Sequence, residues 1–110
     1  MWPAPFEVPV VDEPAHYRTF DLNATTLLLL GFSANVFGWS LKNPSSSAAA
    51  AIDLYDSADG SGVPVFTLTL AASESVGDWF GPNGVWLKNA VYANVTSGEV
   101  KGALFYRHVR

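Results

Sequence analysis

The feature that most constrains this chain is a period-two alternation of apolar and polar residues, cut by turn chemistry before any run grows long. Side chains of an extended strand point alternately to opposite faces, so this pattern buries one face and wets the other. Residues 36–42 put Phe37, Trp39 and Leu41 on one face and Gly38, Ser40 and Lys42 on the other. Residues 17–22 set Tyr17, Thr19 and Asp21 against Arg18, Phe20 and Leu22. The last run sets Val100, Gly102, Leu104 and Tyr106 against Lys101, Ala103, Phe105 and Arg107. Residues 25–32 are continuously apolar instead, which predicts a strand buried on both faces or an inner strand at an interface.

The interruptions are equally informative. Asn43-Pro44-Ser45-Ser46-Ser47 is a turn. Within the stretch 44–58 that follows, Ala50, Ile52 and Leu54 alternate with Ala51, Asp53 and Tyr55, which favours a strand; a helix capped by Asn43 is the alternative. Residues 56–62, with Asp59-Gly60 supplying a positive φ, form a hairpin loop. A strand over 63–70 follows, and Pro64 near its start suggests an edge strand or a first-residue position. Residues 75–80 form a further strand. Gly81-Pro82-Asn83-Gly84 is a tight turn expected to return the chain through Val85, Trp86 and Leu87, and residues 90–96 and 99–108 are expected to form a last hairpin turning at Ser97-Gly98. About eight short strands at this spacing predict an all-β domain, a single jelly-roll-like β-sandwich or small barrel.

Residues 1–15 differ. Pro3, Pro5, Pro9 and Pro14 exclude a helix interior or central strand and favour extended backbone. Trp2, Phe6, Val8, Val10 and Val11 are too apolar for a solvated linker, so the segment is expected to be a docking arm, with an arm lying on its own domain as the alternative. The domain proper is expected over 16–110.

A chain of 110 residues is long enough to bury one core and too short for two. The absence of cysteine removes disulfides, thiolate metal sites and a cysteine nucleophile. Charged residues make up 15% of the chain, against about 25% in typical domains. Hydrophobic residues reach 49%, with four Trp. So few charges suit a surface packed against neighbours. With net charge −4 and six scattered Lys and Arg, no nucleic-acid footprint is expected. The apolar run at 27–30 is far short of the roughly 20 residues that span a bilayer, and the first residues lack the pattern of a secretory leader, so no membrane association is expected.

Catalytic chemistry is thinly supplied. His16 and His108 would meet if the first and last strands pair, but two histidines lack a third ligand and an orienting shell. Asp53, Asp56 and Asp59 suggest calcium, yet counting from Asp56 puts Ala58 and Gly60 where an EF-hand needs oxygen ligands, so turn chemistry is the expectation. No Gly-x-Ser-x-Gly elbow or phosphate loop is present, and no cofactor is expected. The conspicuous local feature is Asp78-Trp79-Phe80-Gly81-Pro82-Asn83-Gly84-Val85-Trp86. Trp79, Phe80 and Trp86 are expected to plug the sandwich end or a subunit contact, with a sugar-binding platform as the functional alternative.

The segments Gly38-Trp39-Ser40-Leu41-Lys42-Asn43-Pro44, 74–85 and 91–107 together resemble small virion proteins of tailed bacteriophages, especially those of actinobacteria, over roughly residues 25–107. The resemblance implies a β-sandwich that decorates a capsid or is built into a tail or head fibre. It also implies a homo-oligomer, a trimer by preference, that binds the major capsid protein through a terminal arm. It brings no catalytic residues, and it favours a strand over residues 48–55. The expected function is therefore that of a virion structural protein of capsid-decoration type. A carbohydrate- or receptor-binding module using Trp79, Phe80 and Trp86 is the alternative.

Overall fold

The computed structural model describes residues 15–109. All of the expected arm except Ala15, including Trp2, Phe6, Val8, Val10 and Val11, lies outside the described residues. Nine strands follow in order: β1 (His16–Asn23), β2 (Thr26–Leu30), β3 (Ala34–Lys42), β4 (Ala50–Tyr55), β5 (Phe66–Leu70), β6 (Ser75–Trp79), β7 (Val85–Leu87), β8 (Val91–Ser97) and β9 (Glu99–His108). They form two antiparallel sheets. One runs β1-β9-β3-β6 with β7 also on β3, and the other runs β2-β8-β4-β5. Since β6 and β7 lie end to end along β3, each sheet has four strand positions, and the connectivity is that of a jelly roll.

The alternation read from the sequence builds the core. Phe20, Leu22, Val36, Trp39, Leu41 and Leu104 from the five-stranded sheet meet Ile52, Leu54, Leu70, Val91, Ala93 and Val95 from the other. The ambiguous stretch is a strand from Ala50 to Tyr55, its burial alternating residue by residue, and it forms the expected hairpin with β5. β5 is an edge strand, one of the two positions Pro64 suggested, but it starts only at Phe66, so Pro64 precedes it and Val63 and Val65 are left exposed.

Four expectations are corrected. First, the apolar run at 25–32 is not buried on both faces: β2 is an edge strand, and Leu28 points to solvent. Second, β8 and β9 are not a hairpin. The chain crosses at Gly98 from one sheet to the other, where Ala24 N–H donates to the Gly98 carbonyl at 2.8 Å and ties the β1–β2 corner to it. Gly98 has φ 71°, and a Cβ there would lie 2.7 Å from the Ala49 carbonyl oxygen, so the corner requires glycine. Third, the turn at 81–84 does not return the chain; β7 continues in the direction of β6 along the same neighbour. Fourth, Phe37 does not share a face with Trp39 and Leu41. Val36 pairs with Tyr106 and Gly38 with Phe105, so Phe37 is the extra residue of a β-bulge.

Asn43 has a structural role that composition did not suggest. It is fully buried at the end of β3. Its Nδ2 donates to the carbonyls of Ala48 (2.7 Å), Ala71 (3.1 Å) and Leu70 (3.3 Å), while Oδ1 accepts from the Ser45 N–H at 3.0 Å. One side chain thus satisfies the ends of the β3–β4 and β5–β6 crossings, where buried carbonyls would otherwise lack donors. Asn43→Ala is expected to cost about 1–3 kcal/mol, read as a lower urea midpoint at unchanged slope. A wild-type midpoint would mean that those carbonyls find other donors.

Candidate functional site: the outer face of the five-stranded sheet

The registers align β1, β9, β3 and β6/β7 so that the outward residues form rows across the strands. Tyr17 pairs with Phe105, Phe105 with Gly38, and Gly38 with Trp79. The next row is Thr19, Ala103, Ser40 and Gly77, all small. Beyond it lie Asp21, Lys101, Lys42 and Ser75. On the other side of the aromatic row come Arg107, Asn35 and Trp86. The face therefore grades from aromatic through small to charged, and the small row forms a trough between taller walls. Shallow grooves of about 470 Å³, bounded by Tyr17, Thr19, Ser40, Ala103 and Phe105, and about 630 Å³ beside Lys42 and Lys101 follow it.

The bulge decides the aromatic end. Phe37 lies outside the core cluster between the sheets but is itself buried, at 4% exposure, and its ring lies 6.1 Å from that of Trp79 in a stacked arrangement. The Arg107 guanidinium sits 4.9 Å over the same ring, a cation–π contact. Gly38 beside it admits no side chain, because a Cβ would collide with the Asp78 carbonyl oxygen. The partner strand adapts in the same place: β6 ends at Trp79, the Phe80 N–H donates to the Phe37 carbonyl at 2.7 Å, and residues 80–84 loop out before β7 resumes. Ala15, Phe37, Trp79, Pro82, Phe105 and Arg107 line a groove of about 450 Å³ there. Ala15 is the residue through which the N-terminal segment joins the domain.

The structure splits the three aromatics of the Trp79–Trp86 turn. Only Phe80 plugs the sandwich: it stacks on Phe66 at 5.4 Å and meets the edge of Trp39 at 4.9 Å. Trp39, whose indole N–H donates to Asp78 Oδ2 at 2.7 Å, meets Phe66 edge-on as well. Trp79 and Trp86 are 69% and 57% exposed, which corrects the expectation that they fill the sandwich end. The physical reason is parity. The bulge at Phe37 leaves Trp79 opposite outward-facing Gly38, and Trp86 lies between inward-facing Val85 and Leu87. Trp86 Nε1 donates to Ser33 Oγ at 2.7 Å, which fixes its ring at the rim.

Tyr17 (69% exposed), Phe37, Phe105 and Arg107 were not singled out from the sequence as site residues. The alternation of Lys101, Ala103, Phe105 and Arg107 placed Phe105 on the outward face, but only the register brings it beside Tyr17 and Trp79. The two histidines do sit on paired strands, but aromatic rings stand between them. His16 packs on Tyr106 at 5.6 Å, Phe32 on Tyr106 at 5.8 Å, and His108 on Phe32 at 4.3 Å. Of the three aspartates, Asp56 accepts the N–H groups of Lys88 (3.1 Å), Asn89 (2.7 Å) and Ala90 (3.3 Å), pinning the β7–β8 connection. Asp59 accepts from the Ser61 N–H at 3.0 Å, and its carboxyl is held below the usual range by hydrogen bonds from the Ser61 side chain and backbone. These are turn-forming roles, and among the described residues no three His, Cys, Asp or Glu come together as metal ligands.

Two outcomes test this placement. Trp39→Ala is expected to lose about 3–5 kcal/mol, as core aromatic truncations do, whereas Trp79→Ala is expected to lose about 1 kcal/mol or less, since only its stack on Phe37 is removed. Equal losses in chemical denaturation would place Trp79 in the core. At the charged end, Glu99 is held above the usual carboxylate range because Asp21 hydrogen-bonds its protonated form, with a further push from burial and from the Asp21 charge. A raised acid contributes stability that is present below its unfolded pKa and lost as pH rises through its folded pKa. Glu99→Gln should therefore melt at or above the wild type at pH 7 and no higher at pH 3; a lower melting temperature at pH 7 would contradict the assigned pair.

No protein-family model matches the chain and no curated protein matches it, so the chemistry of this face rests on its own geometry.

Proposed function

We propose that this chain is a non-catalytic structural protein of a bacteriophage particle, of capsid-decoration type, which assembles through the outer face of its five-stranded sheet and the proline-rich segment that leads into it. The observation that carries the reading is the row Tyr17–Phe105–Gly38–Trp79 with Trp86 beside it, an aromatic face left open on a domain with few charges. Exposed apolar area of this kind marks an interaction surface. Tyr and Trp are also the residues that dominate binding energy where surfaces meet. The resemblance to small virion proteins and the use of jelly rolls in viral shells supply the setting. The fold alone would not, since the same architecture serves lectins. A tail or head-fibre component is the neighbouring reading within the same class.

A second reading is favoured by the exposed rings of Trp79 and Trp86. Aromatic faces stack on sugar rings, so a carbohydrate- or receptor-binding module would use the same surface. The two readings separate in one experiment. In particles purified from the phage that encodes the chain, the structural reading requires the protein in stoichiometric copy number on the head. It also requires the doubly substituted Tyr17→Ala, Trp79→Ala protein to be incorporated at least about tenfold less while still unfolding cooperatively well above the assembly temperature. Absence from purified particles, with cell-wall polysaccharide binding that disappears in Trp86→Ala, would establish the carbohydrate module instead.

A further inference from the structure

The trough on the outer face has dimensions and chemistry that suit a particular kind of occupant. From β1 to β6 it crosses three strand spacings, roughly 14 Å at about 4.8 Å each. One wall is aromatic, formed by Tyr17, Phe105 and Trp79; the other carries Lys101 and Lys42 with Asp21 and Ser75 at its two ends; and Arg107 stands at the aromatic end. The floor is Thr19, Ala103, Ser40 and Gly77, small enough for a backbone to lie close. Aromatic-walled grooves of this kind bind proline-rich segments, whose restricted backbone loses little entropy on docking.

The chain supplies such a segment. Trp2-Pro3-Ala4-Pro5-Phe6 has proline at every second position and an aromatic residue at each end. In the polyproline conformation its five residues span about 12 Å, at about 3.1 Å per residue. That matches the trough. Glu7, Asp12 and Glu13 follow, and their charge is opposite to that of Lys42, Lys101 and Arg107, which outnumber Asp21 and Glu99 on the face.

The geometry points to a segment from another copy. The N-terminal segment joins at Ala15, already beside Arg107 and Phe37 at the aromatic end of the face. Phe6 is nine residues and Trp2 thirteen residues before Ala15, so an extended path carries them about 30 and 43 Å from it, at about 3.3 Å per residue. β9, the longest strand of the sheet, has ten residues and is about 33 Å long. A segment that continued the line of β1 would pass beyond its own sheet before Trp2 is reached, and would bring the face of a neighbour within range.

We propose that residues 2–6 of one copy occupy the outer-face trough of the next, so that the protein assembles by exchange of its N-terminal segments. The contact is heterologous: segment and trough are different surfaces, so repetition builds a ring where the rotation closes. This inference rests on the assembly reading above and adds what occupies the face.

Complementation tests it. The wild-type protein should self-associate by light scattering at micromolar concentration, more weakly as salt screens the acidic segment from its basic partners. Deletion of residues 2–14 removes the donor, and Tyr17→Ala with Trp79→Ala removes the acceptor, so each variant alone should be monomeric. Mixed, they retain one segment and one face and should form a one-to-one pair. A peptide of residues 1–14 titrated into the deletion variant should bind it by calorimetry, at least about tenfold more weakly when Tyr17 is also replaced by Ala. A mixture that stays monomeric, a deletion variant that still associates, or a wild-type protein that is monomeric throughout would each overturn the exchange. A deletion variant that unfolds would show that the segment packs on its own domain, which also overturns it. Particle incorporation is scored separately: association without incorporation would defeat the phage setting alone, and incorporation of a monomer would defeat the exchange alone.

Discussion

The outer face of this domain depends on one extra residue in β3. Without the bulge at Phe37, strict alternation from Val36 would turn Trp39 and Leu41 outward, or would turn Val36 and Ala34 outward instead. The inserted residue resets parity, so all four stay in the core and Phe37 alone turns to the outer side of the sheet, where Trp79 and Arg107 pack against it and it remains buried. The neighbouring strand yields at the same point, breaking into β6 and β7 around residues 80–84. Phe37 then serves as the base on which Trp79 stacks and over which Arg107 rests. A single irregularity in strand pairing thus secures the core and builds the aromatic end of the face.

The two sides of β6 show how closely those roles are divided. Trp79 faces out, while the next residue, Phe80, faces in and completes the packed group of Trp39 and Phe66 that closes the sandwich edge. Neighbouring aromatics therefore do different work: one excludes water from the core, and the other is presented to it. This is why a cluster of aromatic residues in a sequence does not distinguish a plug from a binding surface. The burial of Asn43 is a comparable case in polar chemistry, where a residue common in turns serves as the shared donor for buried carbonyls at two chain crossings.

The jelly roll explains why a flat, graded surface is available at all. Apart from Phe37, the sheet's outer residues need cover nothing for the fold itself, since the core cluster lies between the sheets. Side-chain choice on that face is consequently free to follow binding. The choice made here is aromatic at one end, small in the middle and charged at the other. An assembly role draws on the whole gradient, whereas a sugar platform would draw chiefly on the exposed rings.

By itself the sequence determined the strand content, the loops at 43–47 and 56–62 and most of the inward-facing residues, because period-two alternation and turn chemistry are local properties. At Ala50–Tyr55 the alternation only favoured a strand over a helix capped by Asn43, and the structure decided for the strand. The tertiary structure alone decided which strands share a sheet. Gly98 reads as a hairpin turn whether the chain doubles back or crosses to the opposite sheet, and Gly81-Pro82-Asn83-Gly84 reads as a reversal whether or not the strand resumes in line. It also decided the candidate site. Tyr17, Phe37, Trp79 and Phe105 come from four separate strands, and pairing register, a long-range property that one bulge can shift by a residue, is what sets them side by side.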